Sequence, residues 1–121
     1  MSKNYLEICE GVASGAATLR EAIPGQMAGF SKLGAESYKD AALTAKAKEL
    51  IALAIGVTVR CDGCVSHHAK AVLDKGATRE EVAEAIGVAI HMGGGPSMVY
   101  GAEALRAYDE FSRSRSGSPG G

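Results

Sequence analysis

The sequence predicts an all-α fold, a single-domain bundle of about six helices, and three observations carry that prediction. Apolar residues recur at helical spacing along nearly the whole chain, and no segment alternates convincingly with a period of two. Breakers divide the periodic stretches into pieces of helix length, at Pro24-Gly25, at Gly76 and at Gly93 to Pro96. Capping residues stand at the starts of several pieces.

The first helix runs from Tyr5 to about Ala22, with Leu6, Cys9, Ala13, Ala16 and Ile23 at inward spacing, and stops at Pro24-Gly25. A second spans Gln26 to Tyr38, with Met27, Phe30 and Leu33 inward. Thr44 caps a third, Ala45 to Val59. Its later turns are apolar on all sides (Leu50, Ile51, Leu53, Ile55, Val57), as in a central buried helix, while Lys46, Lys48 and Glu49 confine polarity to its start. The β-branched run Ile55 to Val59 would also suit a strand, but no strand partner is evident. Arg60 to Gly63 interrupt the pattern, and a fourth helix continues to Lys75, ended by Gly76. Thr78-Arg79-Glu80-Glu81 is a capping box opening a fifth helix, which runs to about Met92 and buries Val82, Ile86, Ala89 and Ile90. Gly93 to Gly95 form a tight connection, and Pro96 begins a sixth helix that extends to about Phe111. Residues 1–40 thus hold the N-terminal helices, 42–111 the core, and 112–121 a flexible tail of Ser, Arg, Gly and Pro.

At 121 residues the chain is long enough for one core without staples. A formal net charge of −1 leaves no electrostatic footprint for nucleic acid or an acidic membrane surface. Absence of Trp, with aromatics at only 5%, leaves little with which to stack on bases. The longest apolar run, Leu50 to Val59, is too short for a bilayer, which needs about 20 residues. Met1 to Asn4 lead straight into an amphipathic stretch, so no signal peptide is expected and the reading is cytoplasmic. Three cysteines in that setting do not form a disulfide framework. Sixteen glycines and abundant alanine fit closely approaching helices and a homo-oligomer.

The chemistry concentrates in Cys61-Asp62-Gly63-Cys64. Two cysteines three residues apart meet across one helical turn, at a helix start where unpaired N–H groups and the dipole favour a thiolate. In CxxC pairs of this kind the thiol pKa falls from about 8.5 to about 7 or below. One oxidised cysteine can then be trapped by the other as a disulfide. Asp62 opposes this effect, because another anion beside the thiolates raises their pKa. His68, one turn after Cys64 on the same face, can exchange a proton with it, whereas His67 points away to the surface. If the chain folds back near Arg60, Glu49 comes level with His68 and orients it. The result is a relay from Glu49 through His68 to Cys64, with Cys61 at the exposed end.

The spacing Glu49-x11-Cys61-x2-Cys64-x3-His68 resembles the core of the alkylhydroperoxidase D-like branch of the carboxymuconolactone decarboxylase family, over roughly Ala42 to Tyr108. The resemblance implies a thiol-dependent peroxidase or disulfide oxidoreductase. Cys64 would react with the hydroperoxide through a sulfenic acid, Cys61 would be its disulfide partner, and His68 with Glu49 would relay protons. It also implies an all-α oligomer, a trimer or hexamer. The peroxidase form carries a histidine immediately before its second cysteine, and here that position is Gly63. The decarboxylases that name the family lack the CxxC pair.

No nucleotide fingerprint or haem attachment sequence is present, so no cofactor is expected. Electrons would come from a small-molecule or protein dithiol. Two other classes stay open. One is a decarboxylase or lyase of a small cyclic acid, with His68 or His91 as the acid–base group. The other is a non-enzymatic zinc-binding subunit, using Cys61, Cys64 and His68 with Cys9 or His91 as a fourth ligand. Otherwise Cys9 reads as a core filler and His91 as a satisfied structural histidine.

Overall fold

A computed structural model describes residues 3–116, and every regular element in that span is helical. The order is α1 (Tyr5–Ala22), α2 (Pro24–Ser37), α3 (Ala45–Thr58), α4 (Asp62–Asp74), α5 (Arg79–Gly93) and α6 (Gly95–Arg115). No described helix is long and apolar enough to cross a membrane.

Local chemistry accounts for the helix starts. Asn4 and Thr44 accept from the N–H groups of Glu7 and Ala47, at 3.1 and 3.0 Å. Thr78 and Glu81 close the capping box in both directions, at 3.1 and 2.9 Å. The ends of α3 and α4 share one device. Arg60 N–H donates to Val57 O at 3.2 Å and Cys61 N–H to Gly56 O at 3.1 Å. Gly76 and Ala77 repeat this on Leu73 and Val72, at 3.0 and 2.9 Å. Both are Schellman turns, which need a left-handed residue just past the helix. Gly76 meets the need at φ 82°, while Arg60 does so at φ 57° without glycine's freedom.

Arg60 therefore reverses the chain, and α3 lies against α4, its most extensive neighbour. α5 pairs with α6, α3 also touches α5 and α6, and α1 crosses α4 and α6. The core between them holds Leu53, Val57, Val65, Val72 and Val82, all without exposed surface, together with Ala104 and Phe111. Tyr5 is also fully buried, its hydroxyl donating to Glu103 at 2.7 Å. Burial tends to raise the Glu103 carboxyl, but hydrogen bonds from Tyr5 and Arg106 outweigh it and hold the group below the usual carboxylate range. Gly101 lets α6 approach α5: a Cβ there would lie 2.5 Å from Ile86 Cγ2. Gly101→Ala is expected to cost about 1–3 kcal/mol through overpacking, read as a lower urea midpoint with unchanged slope.

Five expectations change. Ala13 and Ile23, placed inward on the first helix, are exposed. α2 begins at Pro24, because proline is well suited to a first helical turn, where its missing N–H costs nothing. Phe30 and Leu33 do not point inward but are 71% and 63% exposed, since α2 lies mainly along α1 and no core covers its apolar side. α3 is buried on one side only. Ile51, Ile55 and Val59 face outward, beside Val88 and Met92 of α5. The sixth helix continues past Phe111 to Arg115, so the expected tail from residue 112 is helical there, and residues 117–121 lie outside the described part.

Candidate active site

The Schellman turn delivers Cys61 directly to α4. Its N–H closes the end of α3, and its side chain caps the start of α4, with Cys64 N–H donating to Cys61 Sγ at 3.2 Å. The two cysteines form a disulfide with Cα atoms 5.2 Å apart. A sulfur capping a helix start receives both an N–H donor and the positive dipole end, which stabilises a thiolate when the bond is reduced. Cys64 faces α3 at close range. A Cβ built on Gly56 would sit 3.2 Å from the Cys64 Cβ, so glycine lets the α3 backbone lie against the dithiol.

One turn along α4, His68 Nδ1 is 2.7 Å from Glu49 Oε1 of α3. Both side chains are largely covered, 16% and 9% exposed. The antiparallel α3–α4 pair thus places Glu49 at the level of His68. In the arrangement of an ionised carboxylate with a neutral imidazole, Nδ1–H donates to Glu49 and Nε2 keeps its lone pair. Two further rings surround His68. His67 stands edge-on at 4.8 Å, and Tyr38 lies tilted at 5.7 Å. Desolvation, then the neighbouring His68, pushes the His67 imidazole below the usual histidine range, although the residue lies at the surface as expected. Burial first and then the Glu49 charge push the Tyr38 phenol up.

Helix α1 straps the start of α4. Ser66 Oγ donates to Tyr5 O at 2.7 Å in a buried contact, and Lys3 pairs with Asp62 at 3.0 Å. That ion pair is exposed and weak as a stabiliser, yet it offsets the negative charge that Asp62 places beside the cysteines. Val12 lies over Gly63, where a Cβ would come within 2.9 Å of its Cγ2. The position that carries histidine in the resembled peroxidase is therefore occupied here from α1. Gly63→His is expected to be better tolerated with Val12→Ala than alone, seen as a positive coupling in thermal-melt double-mutant cycles.

The structure joins Cys61 to Cys64 at the start of α4 and His68 to Glu49 across the α3–α4 pair, one turn further along α4. It does not add the other candidates. Cys9 is half-buried on α1 against the core, and His91 is exposed on α5 rather than satisfied inside the bundle. Among the described residues no three of His, Cys, Asp and Glu converge to hold a metal ion. Tyr38, Gly56 and Val12 were not legible as site residues, because each arrives from another helix with no local motif to announce it.

Comparison with known proteins agrees with this architecture. An uncharacterized protein of Cupriavidus necator is 41% identical over 91 residues, which are 75% of this chain and 80% of that one. Uncharacterized protein 4 of the cox locus of Paracoccus denitrificans is 36% identical over 82 residues, 68% and 74% of the two chains. A crystal structure of a carboxymuconolactone decarboxylase family protein from Legionella pneumophila superposes with a TM-score of 0.87 at 44% identity, covering 89% of this chain and 96% of that one. Another, from Thermotoga maritima, superposes at 0.75 with 25% identity over 88% and 94% of the chains, and its description raises involvement in an antioxidative response. Residues 24–107 match the model of the same family, so this chain belongs to the carboxymuconolactone decarboxylase family.

Proposed function

We propose that the chain is a thiol-dependent peroxidase of the alkylhydroperoxidase D-like kind, with Cys64 as nucleophile. The observation that carries this reading is a cysteine pair at the start of α4, one turn before a histidine whose Nδ1 is held by a buried carboxylate at 2.7 Å. His68 takes the Cys64 proton at Nε2. The thiolate attacks the terminal peroxide oxygen, the O–O bond breaks, and the leaving alkoxide takes the proton back from His68. Cys64 is then a sulfenic acid. Cys61, favoured as thiolate by its capping position, attacks the Cys64 sulfur, the S–O bond breaks, and the departing hydroxide takes up the proton given up by the Cys61 thiol and leaves as water. In sum, two thiols and ROOH give a disulfide, ROH and water. An external dithiol of small-molecule or protein type reopens the bond by exchange.

The test is thiol counting and mass spectrometry on reduced protein mixed with one equivalent of an organic hydroperoxide. Rapid loss of two thiols with a Cys61–Cys64 disulfide supports the reading. Inert thiols, or oxidation no faster than in His68→Ala, would count against it.

We also infer a homo-oligomer. The apolar strip of Ile51, Ile55, Val59, Val88 and Met92 is exposed in one chain and larger than scattered surface residues require. Light scattering should give a mass several times that of one chain; a monomer at micromolar concentration would refute it.

A further inference from the structure

One aromatic ring reaches the Glu49–His68 pair from a helix that buries nothing of its own. α2 has no buried residue, yet Tyr38, its C-terminal cap, is half-buried with its ring against His68. Tyr38 N–H donates to Gly34 O at 3.1 Å, which fixes the backbone from which the ring projects. Tyr38 also borders a shallow groove with Ser37, Lys48, Ile51, Ala52 and Ile55. Tyr38 therefore meets this groove as well as the His68 ring, whose centroid is 5.7 Å away.

A histidine ring needs such a neighbour. Rotation about its last torsion is broad and roughly two-fold, so the bond to Glu49 fixes one edge of the ring and packing against its face adds to that restraint. A tilted aromatic partner at this distance restricts the rotation and keeps water out. We propose, building on the roles given above to His68 and Glu49, that Tyr38 is a positioning residue of this pair. Its ring holds His68 with Nδ1 on Glu49 and Nε2 available to the dithiol. The ring performs this task and the hydroxyl does not, so phenylalanine substitutes for it.

The experiment is nitrogen NMR of the reduced protein with ¹⁵N-labelled histidine, comparing wild type with Tyr38→Phe, Tyr38→Leu and Tyr38→Met. The imidazole shifts of His68 report which nitrogen carries the proton. Wild type and Tyr38→Phe should show the Nδ1–H tautomer, while the leucine and methionine variants show a mixture of both. Oxidation of the dithiol by hydroperoxide should slow about tenfold in those two variants and hardly in Tyr38→Phe. Thermal melts show which variants are folded, and two aliphatic replacements guard against one failing to fold. A folded leucine or methionine variant that keeps the wild-type tautomer reduces Tyr38 to ordinary packing and overturns the proposal. The tautomer is read without peroxide, so this failure is distinct from wild-type thiols proving inert, which would sink the peroxidase reading instead.

Discussion

Cys64→Ser is expected to lower hydroperoxide reduction on the order of 10³-fold or more, to the level of the protein-free reaction, because it removes the sulfur that the proposed mechanism uses for attack. Cys61→Ser should behave differently. The first chemical step survives, one equivalent of peroxide is consumed, and the reaction stops at a Cys64 sulfenic acid that a dione probe traps. The contrast is stronger than either loss alone. If Cys61→Ser abolished the first step and Cys64→Ser accumulated a sulfenic acid on Cys61, the assignment would be reversed. The capping of α4 by Cys61 makes that swap worth testing, since the hydrogen bond from Cys64 N–H at 3.2 Å favours a thiolate on Cys61. Neither serine should unfold the protein, as both cysteines are only half-buried.

Glu49→Gln is expected to slow dithiol oxidation by about 10²- to 10⁴-fold while leaving the fold intact. The amide is nearly the same size as the carboxylate, so α3 and α4 can still pack. Its NH₂ group, however, can donate to His68 Nδ1, which then must accept. The proton moves to Nε2, and the nitrogen that the proposed relay uses is no longer a base. The variant should therefore lose rate without losing thiols, disulfide capacity or melting temperature. Stopped-flow oxidation alongside a melt separates the two effects. An unchanged rate would remove Glu49 from the relay; a lower rate with a lower melting temperature would make it a structural residue.

How much of this was legible in the residues differs from element to element. Thr44 and the Thr78–Glu81 capping box announced α3 and α5, since a cap is made within one turn of chain. Gly76 announced the end of α4 for the same reason. The spacing from Cys61 through Cys64 to His68 put three site residues on one helix face, because helical periodicity is local geometry. Arg60 is the instructive case. The break in pattern there was visible, but a left-handed arginine is unfavourable alone and is held by the α3–α4 packing on either side of it.

The sequence by itself thus determined an all-α chain, where most of its helices begin, and a dithiol with a histidine one turn away. Glu49 was named beside His68 on the condition that the chain folds back near Arg60; only the tertiary structure decided that it does, that Val12 occupies the space over Gly63 and that Tyr38 leans on the imidazole. It also decided that Phe30, Leu33, Ile51, Ile55 and Val59 remain uncovered within one chain. Periodicity gives the direction of a side chain around its own helix. Whether another helix stands in that direction depends on contacts between residues far apart in sequence, and no local pattern encodes them.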